Sequence, residues 1–265
     1  MFDTNSTTAA GSEGRLSERS PKVLEGLADM FHPGNRHNLI DLLRPPPGYR
    51  VDSAIATTYS LDFVALTAVM LALVDAEPED DTCPLNQVDA LRAITRLSKR
   101  VRVFVNRAGI DWNGALGTNK LCILFDNIVG EVRLPNASFH PKIWVARYCP
   151  RELPRSEGLK PIVRLLCSSR NLTKSQYWEA CTCLEGSESE GRRQDPVAAR
   201  AADFVERLFA QGVAEDLPGV VRSLRRVHFP KTGENRDGCD FLWQWPGDPE
   251  LLDHLPPQHE RAVLV

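Results

Sequence analysis

The 265-residue sequence predicts an α/β protein, a mixed central sheet flanked by helices. Two observations carry that expectation. Short β-branched or alternating runs recur along the chain, and stretches of helical spacing stand between several of them instead of collecting at one end.

The opening MFDTNSTTAAGSEG lacks the basic start and apolar stretch of a secretory signal, so residues 1–20 read as a disordered polar tail. Residues 21–250 read as one domain. In NRHNLIDLLRPPPGYR a short helix is expected to stop at Pro45, Pro46 and Pro47, because proline cannot continue a helix and restricts the residue before it. VDSAIATTYS, small and β-branched, predicts a strand, and LDFVALTAVMLALVDA predicts a helix with Ser60 as N-cap. The apolar run from Leu61 to Val74 is shorter than the roughly 20 residues that span a bilayer and contains Asp62 and Thr67, so it reads as a buried helix and no membrane partner is expected.

QVDALRAITRLSKR sets Val88, Leu91, Ile94 and Leu97 on one helical stripe, and VRVFVNRAGI alternates as a strand. KLCILFDN, FHPKIWVARY, PIVRLLCSS and EACTCLEG are β-rich runs parted by polar or proline-bearing turns, and AARAADFVERLFAQG returns to helical spacing. The end, HLPPQHERAVLV, reads as the opening of a fresh strand.

A formal net charge of −3 argues against a protein that coats nucleic acid by bulk charge, while leaving room for a local basic groove. The seven cysteines form no C-x-x-C pair and no disulfide-like framework, which suits a reducing cytoplasm.

Two strand-like runs carry polar residues that a buried strand does not tolerate without reason. On an extended backbone His140 and Lys142 project to one side, and Ser169 and Asn171 share the same spacing after PIVRLLC. A strand-end histidine on a carbonyl, an edge lysine and a turn or helix cap account for them one at a time. Together they suit attack on a phosphodiester. A neutral imidazole is a nucleophile, an ammonium neutralises a non-bridging oxygen, and hydroxyl and carboxamide donate as charge develops. No metal or other cofactor is needed. Glu179 is placed to hold an imidazole N–H.

His140-Pro141-Lys142 followed by CSSRNLT and then Trp178-Glu179 resembles one half of the phospholipase D superfamily signature, H-x-K and then G/S-S-x-N, with the nuclease and tyrosyl-DNA phosphodiesterase branches nearest in flavour. The resemblance implies a phospholipase D-like half-domain and metal-independent hydrolysis through a phosphohistidine. It implies catalytic roles for His140, Lys142, Ser169, Asn171 and Glu179, and nucleic acid as partner, in DNA processing or defence. One departure bears on substrate: the lipase-type signature has an Asp five residues after the Lys, and here that position is Arg147.

Such a site pairs two H-x-K units, and this sequence holds one. His228 is spaced H-x-x-K, and His32, His37, His254 and His259 have no lysine two positions on. The resemblance therefore implies a second unit from homodimerisation or from a C-terminal half, whose start would fall at residues 251–265. A phosphatidyl transferase and a catalytically idle half-site used for binding or assembly are the competing expectations.

Other features read as structural. Cys181 and Cys183 are expected on one buried strand face, and His32 and His37 in a surface loop. Arg222, Arg225, Arg226, His228 and Lys231 form either a solvated helix face or a phosphate-tracking stripe. Trp243 and Trp245 anchor a loop or stack bases.

Overall fold

In a computed structural model, the described residues are 39–74, 92, 94–110, 125–151, 159–174, 180–189, 194–215, 217–230 and 240–248. They form an α/β structure in which one seven-stranded sheet separates two helical layers. In chain order the elements are α1 (Leu39–Leu43), β1 (Tyr49–Thr58), α2 (Phe63–Leu73), β2 (Val101–Asn106), β3 (Val129–Val132), β4 (Ile143–Pro150), β5 (Ile162–Ser168), β6 (Cys181–Glu188), α3 (Pro196–Phe209), α4 (Pro218–Leu224) and β7 (Val227–His228).

The sheet order is β3-β2-β1-β4-β5-β6-β7. β1, β2 and β3 run parallel, whereas β1–β4, β4–β5, β5–β6 and β6–β7 are antiparallel, so the sheet is mixed as expected. The carboxyl ends of β1, β2 and β5 and the start of β4 therefore meet at one edge of the molecule. Ligand sites of open α/β sheets commonly lie outside the carboxyl ends of the strands.

Alternation along β4 divides the core. Trp144, Ala146 and Tyr148 face one layer with Leu66, Val69 and Met70 of α2; Ile143 and Val145 face the other with Ala202, Val205 and Leu208 of α3. Each fully buried large side chain of this kind contributes about 1.5–3 kcal/mol.

α2 begins at Asp62, whose carboxylate accepts from the N–H groups of Val64 (2.6 Å) and Ala65 (3.3 Å). The expected cap, Ser60, instead accepts at its carbonyl from the Thr58 hydroxyl (2.7 Å). A carboxylate beside the positive end of the helix macrodipole outcompetes a hydroxyl two residues upstream.

α3 starts the same way. Asp195 caps Val197 and Ala198, then uses its second oxygen to accept from Phe229 N–H (3.1 Å), tying the helix start to the end of β7.

Other expectations are corrected. Phe125 to Asn127 of KLCILFDN form a turn, not a strand, and the third strand is the unanticipated VGEV of β3. Cys181 is exposed rather than buried, while Cys183 packs partly against the core. Arg222, Arg225, Arg226 and His228 do not share one helix face: α4 ends at Leu224, Arg225 pairs with Asp203 and Glu206, and His228 lies on β7 against Asp195 (3.4 Å).

Trp243 donates its indole N–H to Arg200 O and Trp245 packs into the α3 layer against Phe139, so both anchor a loop. The expected tail 1–20, residues 251–265, His32, His37, Val88, Leu91, Glu179 and Lys231 lie outside the described residues. No helix among the described residues is long and apolar enough to cross a membrane.

Candidate active site

His140 and Lys142 lie immediately before β4, not within it. The ladder is nonetheless prolonged as far as Lys142. Ser168 N–H donates to Lys142 O (2.9 Å), and Ile143 N–H donates to the Thr57 hydroxyl (2.9 Å), which holds the segment against β5 on one side and β1 on the other. The backbone at Lys142 is thus tied to the sheet, and His140, two residues before it, is exposed.

The two side chains turn to the same place. Lys142 Nζ lies 2.8 Å from His140 Nδ1 and 3.4 Å from Nε2, and it donates to the His140 carbonyl (3.1 Å). An ammonium only donates, so the ring nitrogen that it meets must carry a lone pair. Partial burial of the imidazole, and then the charge of Lys142, hold the His140 pKa below its ordinary value. Both influences favour the neutral form of the ring.

Asn171 reaches this place through β1. Its Oδ1 accepts from Tyr59 N–H (3.2 Å), and because that donor settles which end of the amide faces inward, the NH₂ group is directed the other way. The Tyr59 ring lies against the His140 ring, centroids 4.8 Å apart and tilted by 44°. The loop that carries Asn171 is held by Thr58, whose hydroxyl accepts from Leu172 N–H (2.9 Å), and by the bond from Asp62 N–H to Leu172 O (2.8 Å).

Ser169 bonds to the start of β6: its N–H donates to Ala180 O (3.0 Å) and its Oγ accepts from Ala180 N–H (3.2 Å). Its neighbour Ser168 is buried and accepts from Arg170 N–H (2.9 Å), closing the turn that leads to Asn171. His140 and Asn171 thus both touch Tyr59, one at its ring and one at its N–H, and Lys142 touches His140, while Ser169 secures the turn that leads to Asn171.

Sequence reasoning missed Tyr59 and Asn106. Asn106 ends β2 and accepts at Oδ1 from Phe139 N–H (2.9 Å), fixing the residue before His140. Next to the site is a cleft of about 500 Å³ lined by Tyr59, Asp62, Asn106, Arg107, Thr173 and Lys174 among others. Gly109 also lines it, packed so closely that a Cβ there would run into the Tyr59 carbonyl. The cleft carries two cations, Arg107 and Lys174, and the Asp62 carboxylate is already engaged as a helix cap.

Arg147, at the position where the lipase-type signature has Asp, is turned away towards α4. It donates from Nη1 to Asp52 (2.7 Å) and from Nε to Glu188 (2.9 Å) and to the Ser223 hydroxyl. Burial opposes its charge, but the bonds to Asp52 and Glu188 outweigh burial and its pKa is raised. This residue is structural. Among the described residues no group of three or more His, Cys, Asp and Glu side chains is placed to hold a metal ion.

No protein-family model and no curated protein matches the chain. Among solved structures it is similar to yeast tyrosyl-DNA phosphodiesterase, with a TM-score of 0.46 and 12% identity over 73% of this chain and 39% of that one. Two variants of the yeast enzyme, with a histidine replaced by arginine or by asparagine, give TM-scores of 0.43 and 0.42 at 13% identity, over 75% and 68% of this chain and 39% and 36% of theirs. The chain thus spans well under half the length of each.

Proposed function

We propose that this chain is one half of a metal-independent phosphodiesterase of nuclease type, in which His140 is the nucleophile and a second H-x-K unit completes the site. The observation that carries the proposal is the contact of the Lys142 ammonium with the His140 imidazole, whose ring lies against Tyr59, the residue that holds the Asn171 carbonyl end.

A phosphodiester entering this place offers its non-bridging oxygens to Lys142 and to the Asn171 NH₂. Lys142 turns from the imidazole to the anion, which releases the ring lone pair. His140 attacks phosphorus, a P–N bond forms and the P–O bond to the leaving group breaks, the leaving oxygen taking a proton from the histidine of the second unit. That histidine then removes a proton from water, whose oxygen displaces His140 and restores both side chains. Glu179 would accept the other imidazole N–H and support the charge on the phosphorylated ring. Donors fixed before the reaction stabilise developing charge without reorganisation.

The substrate proposed is nucleic acid, with the strand continuing through the cleft past Arg107 and Lys174. Arg147 stands where the lipase-type signature has its acid and is committed to Asp52 and Glu188, which favours nucleic acid over phospholipid. The second unit comes from a second copy of this chain or from a C-terminal half, and the setting proposed is cytoplasmic.

The test is cleavage of a labelled oligonucleotide in excess EDTA, with His140→Ala in parallel and sedimentation to give the oligomeric state. EDTA-resistant cleavage that is lost in the variant supports the proposal. Transfer of label from phosphatidylcholine would assign a phosphatidyl transferase instead. Silence on both substrates from a monomer would leave an idle half-site.

A further inference from the structure

We propose that Tyr59 is the positioning residue of this site: its ring fixes the plane of the His140 imidazole while its main-chain N–H fixes the Asn171 carboxamide. One residue thereby sets two sides of the phosphate seat. The inference rests on the phosphodiesterase reading given above.

Tyr59 is the first residue past β1, and its backbone is held firmly. Thr58 before it is anchored through its hydroxyl to Leu172 N–H and Ser60 O. Leu61 after it donates to Gly109 O (2.9 Å), and Gly109 presses directly on the Tyr59 carbonyl. A ring that springs from so constrained a backbone leaves it in a fixed direction, towards His140.

His140, by contrast, is exposed and sits outside a strand, where an imidazole would otherwise sample several rotamers. The tilted ring contact at 4.8 Å selects among them, and such aromatic pairs have a preferred geometry. The imidazole faces Lys142 from its own segment and Tyr59 from the end of β1. Because the ring lies against the imidazole, removing it is expected to lessen the burial that disfavours the charged form.

The other half of the role belongs to the backbone and is independent of side-chain type. Any residue at 59 except proline offers the N–H to Asn171, so substitution separates the two functions.

The experiment compares wild type, Tyr59→Leu and Tyr59→Phe by NMR, following the His140 ring titration, the Asn171 carboxamide signals and the affinity for inorganic orthophosphate. In Tyr59→Leu the titration midpoint is expected to rise towards the ordinary histidine value, and phosphate affinity to fall roughly two- to tenfold. The Asn171 signals stay in place, which also verifies the fold. Tyr59→Phe matches wild type in every readout.

Unchanged midpoint and affinity in Tyr59→Leu would overturn the inference, as would a Tyr59→Phe variant impaired like the leucine one. If wild type itself fails to bind orthophosphate, the phosphodiesterase reading falls, and the titration midpoint alone then decides the role of Tyr59.

Discussion

Lys142 Nζ lies 2.8 Å from His140 Nδ1, so the proton that would charge the imidazole has to arrive beside an existing ammonium. Burial is the larger influence on this ring and the lysine the second, and both act in the same direction.

Replacing Lys142 by Gln removes the second influence only. The His140 midpoint is expected to rise but to stay below the ordinary 6.5, because burial remains. In wild type the neutral ring persists as pH falls below that value, and in Lys142→Gln the acid limb of any EDTA-resistant cleavage moves to higher pH. The linkage has the matching sign. The unfolded chain takes up the proton before the folded one, so this group lowers stability as pH falls from 6.5 through the folded midpoint. Ring-proton NMR across a pH series measures the shift, and a midpoint unmoved by Lys142→Gln would contradict the assigned contact.

Thr58→Val tests the loop that carries Asn171. The hydroxyl accepts from Leu172 N–H and donates to Ser60 O, and Thr58 is buried. An isosteric methyl leaves that N–H without its partner, at a cost of about 1–3 kcal/mol. Urea denaturation should show the loss. Orthophosphate affinity should fall as well, because Asn171 is displaced.

Much of the sheet is legible in the chain. β1, β4 and β5 announce themselves through β-branched residues and alternation, and α3 through the spacing of Ala198, Ala201, Ala202 and Val205, because burial of one face imposes a period on the sequence. VGEV is too short, with a glycine inside it, to impose one. The N-cap was misplaced because Ser60 and Asp62 are both good caps and only the fold decides between them. Asn171 and the H-x-K pair were readable as residue types at fixed spacing. Tyr59 was not, since a lone aromatic at a strand end has no periodic signal and acts through two different groups on two different segments.

Arg147 gives a stability prediction that leaves the site untouched. Truncation to alanine abandons Asp52 and Glu188 beside one another under α4, with side chains 37% and 17% exposed. Partial solvation moderates the penalty, so about 2 kcal/mol is expected. The His140 titration should not change. An equal loss from an exposed control arginine, or a shifted His140 midpoint, would contradict the separation of this network from the site.

The account depends most on His140, Lys142 and Asn171 gripping one phosphate. The direct measurement is titration of ¹⁵N-labelled protein with inorganic orthophosphate, following the His140 ring and the Asn171 NH₂ signals. The account predicts that both move together along one saturable curve and that Lys142→Ala abolishes it. Signals that stay still, that follow different curves, or that respond equally in Lys142→Ala would contradict it.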